Sequence, residues 1–226
     1  MELQVIAYIE SDFPDKFGIP RQSGLVSSLI SRIVFEPKFR NVDAIRGIEG
    51  YSHLWLLWYF SESDRGKEWL PMVRPPRLGG NTKVGVFATR SPFRPNPIGL
   101  SCVRLEHIEV EEKLGPVLYV SGADLMNGTP IFDIKPYLAY VDSHPEAVDG
   151  FALNTKDNVL DVIVPKELLL RISEDKREGL KEVLGQDPRP QYQADEKRIY
   201  KMKFSKWEVW FRVEEKVLVV CDVLNI

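Results

Sequence analysis

Over the first 121 residues apolar side chains hardly recur at helical spacing, which restricts this part of the chain to architectures built from strands. Leu3, Val5, Ala7 and Ile9 alternate with Gln4, Ile6 and Tyr8, and Val103, Leu105 and His107 alternate with Arg104, Glu106 and Ile108. A period of two sends successive side chains to opposite faces of an extended backbone, so each stretch predicts a strand with one more buried face. Strands are expected over 3–9, 33–35, 54–60, 84–88, 101–110 and 117–121, joined by loops rich in Pro and Gly. Short strands so joined predict a mainly β fold, an antiparallel barrel or sandwich, and closing a barrel removes exposed sheet edges.

The texture changes after residue 145, where an acidic, polar stretch through Asp149, Asn154, Lys156, Asp157 and Asn158 reads as a boundary. Two units are expected: a β-barrel over 1–145 and a small α+β domain over 146–226. In the second, Pro165 suits a first helical turn, Ser173 is placed to cap a helix that Glu174 and Asp175 begin, and Gly185 ends it. Strands over 199–204, 207–213 and 217–223 follow, the last two forming a hairpin around Glu214-Glu215, with Phe204, Trp207 and Trp210 expected in the sheet core.

Two cysteines, Cys102 and Cys221, and three histidines without ligand spacing give no expectation of a disulfide framework or a metal site. The one dense apolar run, 51–60, is too short for a bilayer, and Met-Glu-Leu-Gln resembles no export leader, so the cytoplasm is expected. Net charge is −3, yet residues 65–104 carry eight basic side chains against Glu68 alone. A cationic zone on an acidic body attracts a polyanion to one place, although a solvated basic face would look the same.

Three loops concentrate Pro, Gly and cations. The first begins Pro20-Arg21-Gln22-Ser23-Gly24-Leu25. The second, over 73–101, contains Arg74-Pro75-Pro76-Arg77 and Thr89-Arg90-Ser91-Pro92-Phe93-Arg94-Pro95-Asn96-Pro97. The third runs from Asp124-Leu125-Met126-Asn127-Gly128-Thr129-Pro130 to Tyr137. Prolines limit the freedom of the arginines between them, so little entropy is lost when an anion orders the loop. These segments, in this order, with Gln186-Asp187-Pro188-Arg189-Pro190-Gln191-Tyr192 near the C-terminus, resemble the signature of the TrmO (YaeB/TsaA-like) family.

That resemblance implies a barrel-type methyltransferase that uses S-adenosylmethionine, acts as a homodimer on the anticodon stem-loop of tRNA, and methylates the exocyclic nitrogen of a threonylcarbamoyl-adenosine. It places the cofactor against Ser23, Gly24, Leu25, Arg90 and Leu100, with Ser63, Asp64, Asp124, Leu125 and Met126 completing the pocket. Arg90 would meet the cofactor carboxylate, and Asp64 or Asp124 its cationic side. No Gly-x-Gly-x-x-Gly follows a strand, which agrees with a fold unlike the Rossmann methyltransferases.

Methyl transfer needs alignment more than a strong base, but a ureido-type nitrogen must lose its proton; Asp133 and Asp124 are the candidate acceptors. Asp133 beside Lys135 reads equally as an ion pair. Arg74, Arg77 and Arg94, with Asn96 in the same loop, are candidate tRNA contacts. So are Asp187, Arg189 and Tyr192 in the C-terminal motif, and Lys197 and Arg198 in a second basic segment. One departure stands out: Asn127 replaces the family's usual Asp, keeping the turn chemistry but losing the charge. It leaves open a cofactor-binding sensor or RNA-binding module without turnover.

Overall fold

The computed structural model describes residues 2–63, 69–75, 78, 81–155, 159–189 and 198–226, with side chains omitted for 153–155. The strands are β1 (Ala7–Glu10), β2 (Ile30–Phe35), β3 (His53–Tyr59), β4 (Met72–Val73), β5 (Val84–Gly85), β6 (Ile98–Glu111), β7 (Gly115–Ser121) and β8 (Pro130–Pro136). After the short helix α1 (Ala139–Asp142) come β9 (Asp161–Ile163), α2 (Lys166–Leu169), α3 (Glu174–Gly185), β10 (Tyr200–Phe204), β11 (Trp207–Glu214) and β12 (Val217–Asn225).

Six strands pair antiparallel in the order β1-β2-β7-β6-β3-β8, and β8 returns to β1 through Ala7 opposite Ile131, so the sheet closes. Alternation drives the closure. Along β3, Leu54, Leu56 and Trp58 point inward and are buried, as are Ala7, Ile9, Ile33, Val103, Leu118, Val120 and Ile131 from the other strands. The outward side chains of β3 include Trp55, Leu57 and Tyr59, and Trp55 is covered locally: its ring lies 5.6 Å from that of Tyr137, and Nε1 donates to Asp142 over 3.0 Å.

The mainly β expectation holds, but several elements differ, and of the strand expected over 3–9 only 7–9 join β1. Residues 130–136, read as loop, form β8 and pair with both β3 and β1. A separate two-stranded pair, β4 and β5, replaces the expected strand over 84–88, whose second half is a 3-10 turn.

A second core lies under the sheet β10-β11-β12-β9, where α3 contributes Leu180, Val183 and Leu184 and the strands contribute Met202, Phe204, Trp207, Val209, Phe211 and Leu218. Trp210 does not join them. It stands at an alternate position of β11, only partly buried, with Lys201 Nζ 3.7 Å above its ring and its indole donating to Glu208.

The segment between β1 and β2 belongs to this second core, sending Phe13, Val26 and Leu29 into it. Asp12, 8% exposed in its side chain, pairs with Lys176 of α3 at 2.6 Å. Glu182 of α3 accepts from the Ser27 and Ser28 backbone amides and the Ser28 hydroxyl at 2.7–3.0 Å. Gly179 makes the close approach possible, since a Cβ there would fall 2.2 Å from Leu29. Among the described residues no helix is long and apolar enough to cross a membrane.

Candidate active site

The three loops converge at Asp124. Trp58 Nε1 donates to Ser101 Oγ over 2.9 Å, and the Ser101 hydroxyl donates onward to Asp124 Oδ1 over 2.5 Å. Ser101 is 1% exposed. Because its oxygen already accepts from the indole, its single proton is committed to the carboxylate. Ser23 of the first loop contributes a backbone hydrogen bond to the same carboxylate, and the Arg90 guanidinium of the second lies near enough to favour its charged form. Burial nonetheless holds the Asp124 carboxyl above the usual carboxylate range, with the Ser101 and backbone donors and Arg90 pulling the other way.

The backbone supports this junction. Gly24 N donates to Gly122 O over 2.8 Å, and both glycines have positive φ, +80° and +77°. A Cβ on Gly122 would lie 3.3 Å from the Gly24 backbone, so the first and third loops meet where side chains are lacking. Ser23 Oγ accepts from Cys102 N at 3.2 Å, tying the first loop to β6. Burial pushes the Cys102 thiol pKa up, which keeps it neutral and weakly reactive. Gly99 of β6 lies flat against Trp58, where a Cβ would sit 2.2 Å from the indole, so the ring that begins the relay has one position.

Beside the junction opens a cleft of about 1790 Å³, walled by parts of 16–22, the β4–β5 region, residues 87–95 with Pro97, and part of the second unit including Gln186 and Arg189. Ser63, Arg74, Arg90, Arg94 and Arg189 line it. The expected cofactor set is therefore split. Ser63 and Arg90 face the cleft, whereas Ser23, Gly24 and Leu25 follow Gln22, which lines it and accepts a hydrogen bond from Arg90; Asp124 feels the Arg90 charge, and Leu100 stands on the barrel wall. Leu25 and Leu100 are exposed, Leu100 by 55%. Leu125 is fully buried in the barrel core, and its carbonyl accepts from Ser11 Oγ. Met126 accepts from the Thr129 hydroxyl over 2.7 Å.

The sequence reading placed Arg21, Gln22 and Ser101 within its loops without giving them a role, and it gave none to Trp58 or Gly122. A signal existed for Ser101, which is a polar residue at an inward position of a strand, opposite Leu56.

Asp133 stands apart from Asp124. Both it and Leu100 flank Leu57 in register, from β8 and β6, at outward positions on the barrel wall. Its carboxylate pairs with Lys135 at 2.8 Å. Asn127 does turn work: its side-chain oxygen accepts from Ser11 N at 3.0 Å, which an aspartate could also do, and the positive φ of the turn falls on Gly128. Arg94 donates to the Thr89 carbonyl, and Asn96 is exposed outside the cleft lining. Arg189 is gripped by Asp187 through two hydrogen bonds of 2.8 and 3.0 Å, which raises its pKa. Arg198 stacks 5.2 Å from the Tyr200 ring centre. Asp64, Arg77, Tyr192 and Lys197 lie outside the described residues.

Residues 8–143 match the tRNA-methyltransferase O N-terminal domain, and residues 162–226 match the TrmO C-terminal domain. This chain belongs to the tRNA-methyltransferase O family. A tRNA (adenine(37)-N6)-methyltransferase of Escherichia coli K12 is 40% identical over 225 residues, 95% of this chain and 94% of that protein. A putative S-adenosylmethionine-dependent methyltransferase of Pseudomonas aeruginosa is 42% identical over 197 residues, 84% of this chain and 83% of its own. The crystal structure of TrmO from Pseudomonas aeruginosa superposes with a TM-score of 0.79 at 32% identity, covering all of this chain and 99% of that one.

Proposed function

We propose that this TrmO-family chain transfers the methyl group of S-adenosylmethionine to the exocyclic nitrogen of an adenosine beside the tRNA anticodon, the acceptor bearing a threonylcarbamoyl group. The observation that carries the reading is the convergence of Ser23, Arg90, Ser101 and Asp124, from all three loops, at the edge of a basic cleft. Its coarser part is supported by a relative of nearly the same length whose name gives N6-methylation of adenine 37 in tRNA. In the same reading residues 1–145 form the catalytic barrel and 146–226 a unit assisting tRNA, and the enzyme works as a cytoplasmic homodimer.

The residues fit S-adenosylmethionine. An exposed cation, Arg90, suits its carboxylate, the backbone carbonyls of Ser23, Gly24 and Leu25 suit the adenine amino group, and the Asp124 carboxylate suits its cationic centre. When bound, the cofactor supplies a methyl group on a sulfonium. Within the chain, Asp124 holds the first loop against the third, and Ser101 and Trp58 hold Asp124. Asp124 is the favoured acceptor for the nucleophile's proton, because burial raises its proton affinity and it stands at the loop junction. Asp133, on the outer wall in an ion pair with Lys135, is the second candidate. Asp124→Asn should lower kcat at least about 100-fold, the usual scale of an acid–base contribution, and Asp133→Asn by less; the reverse order would move the role to Asp133.

The decisive experiment incubates the protein with S-adenosylmethionine and tRNA with or without the threonylcarbamoyl group, and measures methylated nucleosides by mass spectrometry. Product only with the modified tRNA is expected. Cofactor binding without product from either tRNA would favour the sensor reading. Arg90→Ala should weaken cofactor binding on the order of ten-fold, the scale of a lost charge-assisted hydrogen bond, and Arg212→Ala far less. Equal effects in a calorimetric titration would remove Arg90 from the site.

A further inference from the structure

Two aromatic side chains on the cleft wall have no role in the site so far described. Trp69 is 47% exposed and Phe87 69% exposed, and their ring centroids lie 5.9 Å apart at 34°. Leu70 and Met72 continue the apolar strip. Leaving so much apolar surface in water forfeits about 25 cal/mol per Å², so an exposed cluster of this kind indicates a partner. The side chains around it indicate which kind. Lys16, Arg74, Lys83, Arg90 and Arg94 line the same cleft, against a single acidic lining residue among those described, Asp149. A protein partner could also bury the rings, but a wall with this excess of cations over carboxylates favours a polyanion. Unpaired nucleotides meet both features, phosphates on the cations and flat bases on the rings. Phe87 lies three residues before Arg90, in the 3-10 turn that follows β5, so the strip leads directly to the junction at Asp124.

We infer that Trp69 and Phe87 form a stacking shelf for an unpaired loop base next to the methyl-accepting adenosine. The inference rests on the tRNA reading above and adds a subsite to it. The shelf binds any base by its π face and therefore confers affinity and position rather than sequence choice. Its contribution should fall on KM and RNA affinity, since it holds substrate and transition state alike.

The test uses the full chain and a fluorescent anticodon stem-loop RNA, intact or with each loop base next to the acceptor replaced by an abasic site. Phe87→Ala and Trp69→Ala should each weaken binding of the intact RNA on the order of ten-fold. Phe87→Tyr and Trp69→Phe, which keep a ring, should bind as the wild type does. Removing the base that stacks should weaken the wild type but cost the alanine variants nothing further. Cofactor affinity by calorimetry, unchanged in all variants, controls for folding and for Arg90. Unchanged RNA affinity in both alanine variants would overturn the shelf, as would losses that add fully to those of every abasic site. A shift of the alanine variants to a smaller oligomer on a sizing column would also overturn it, by assigning the strip to a second copy of the chain. A wild type that binds this RNA but methylates no tRNA would instead sink the methyltransferase reading and leave the shelf standing.

Discussion

At the residue scale the molecule turns on one carboxylate. Burial lifts the pKa of folded Asp124 above its unfolded value, so the folded state holds that proton more tightly. Its favourable contribution is then complete below the unfolded carboxylate value, about pH 4, and is lost as pH rises through the folded value. Asp124→Asn keeps an acceptor for Ser101 and removes the buried charge. It should therefore melt higher than the wild type at pH 7, with the advantage vanishing below about pH 4 in a thermal series. A difference in Tm that is the same at every pH would show that the charge is not the cause. This residue was named from the sequence, as a cofactor contact and candidate proton acceptor. The partners that define it were not legible, because Trp58 and Ser101 lie 66 and 23 positions away and meet it only when β3, β6 and the third loop share one end of the barrel.

At the scale of elements, β3, β6, β7, β11 and β12 fall within a few residues of their expected spans, whereas the alternating stretch 3–9 yields a strand only from Ala7. β8 was not readable. Pro130 and Pro136 bracket it, and a register shift opposite Leu57 and Trp58 interrupts the period of two across Ile131, Phe132 and Asp133. The α3 contact with the first loop was hidden for a similar reason: Gly179 looks like a weakness inside a helix until Leu29 is seen to occupy the space above it. Gly179→Ala should cost about 1–3 kcal/mol by overpacking, and Leu29→Ala about 2–5 kcal/mol by leaving a void. Combined, they should cost clearly less than their sum in urea denaturation, since the methyl fills part of the void. Strict additivity would mean the two sites do not touch.

At the scale of the whole molecule, the loop carrying Ser23, Gly24 and Leu25 is rooted in the second core rather than in the barrel it serves. Glu182 fixes it from α3 without approaching the Asp124 junction. Glu182→Ala should cost about 2 kcal/mol in stability through lost charge-assisted hydrogen bonds. It should also weaken S-adenosylmethionine binding several-fold in calorimetry, although Arg90 and Asp124 are intact. Wild-type affinity in a destabilised variant would show that the loop keeps its shape unaided.

The covalent link through residues 143–160 is not all that ties the halves together. Phe13, Val26 and Leu29 reach backward from the barrel into the other core, and Asp12 and Lys176 latch them there. A protease nick after residue 143 would accordingly yield two fragments on a denaturing gel that still travel as a single particle in buffer.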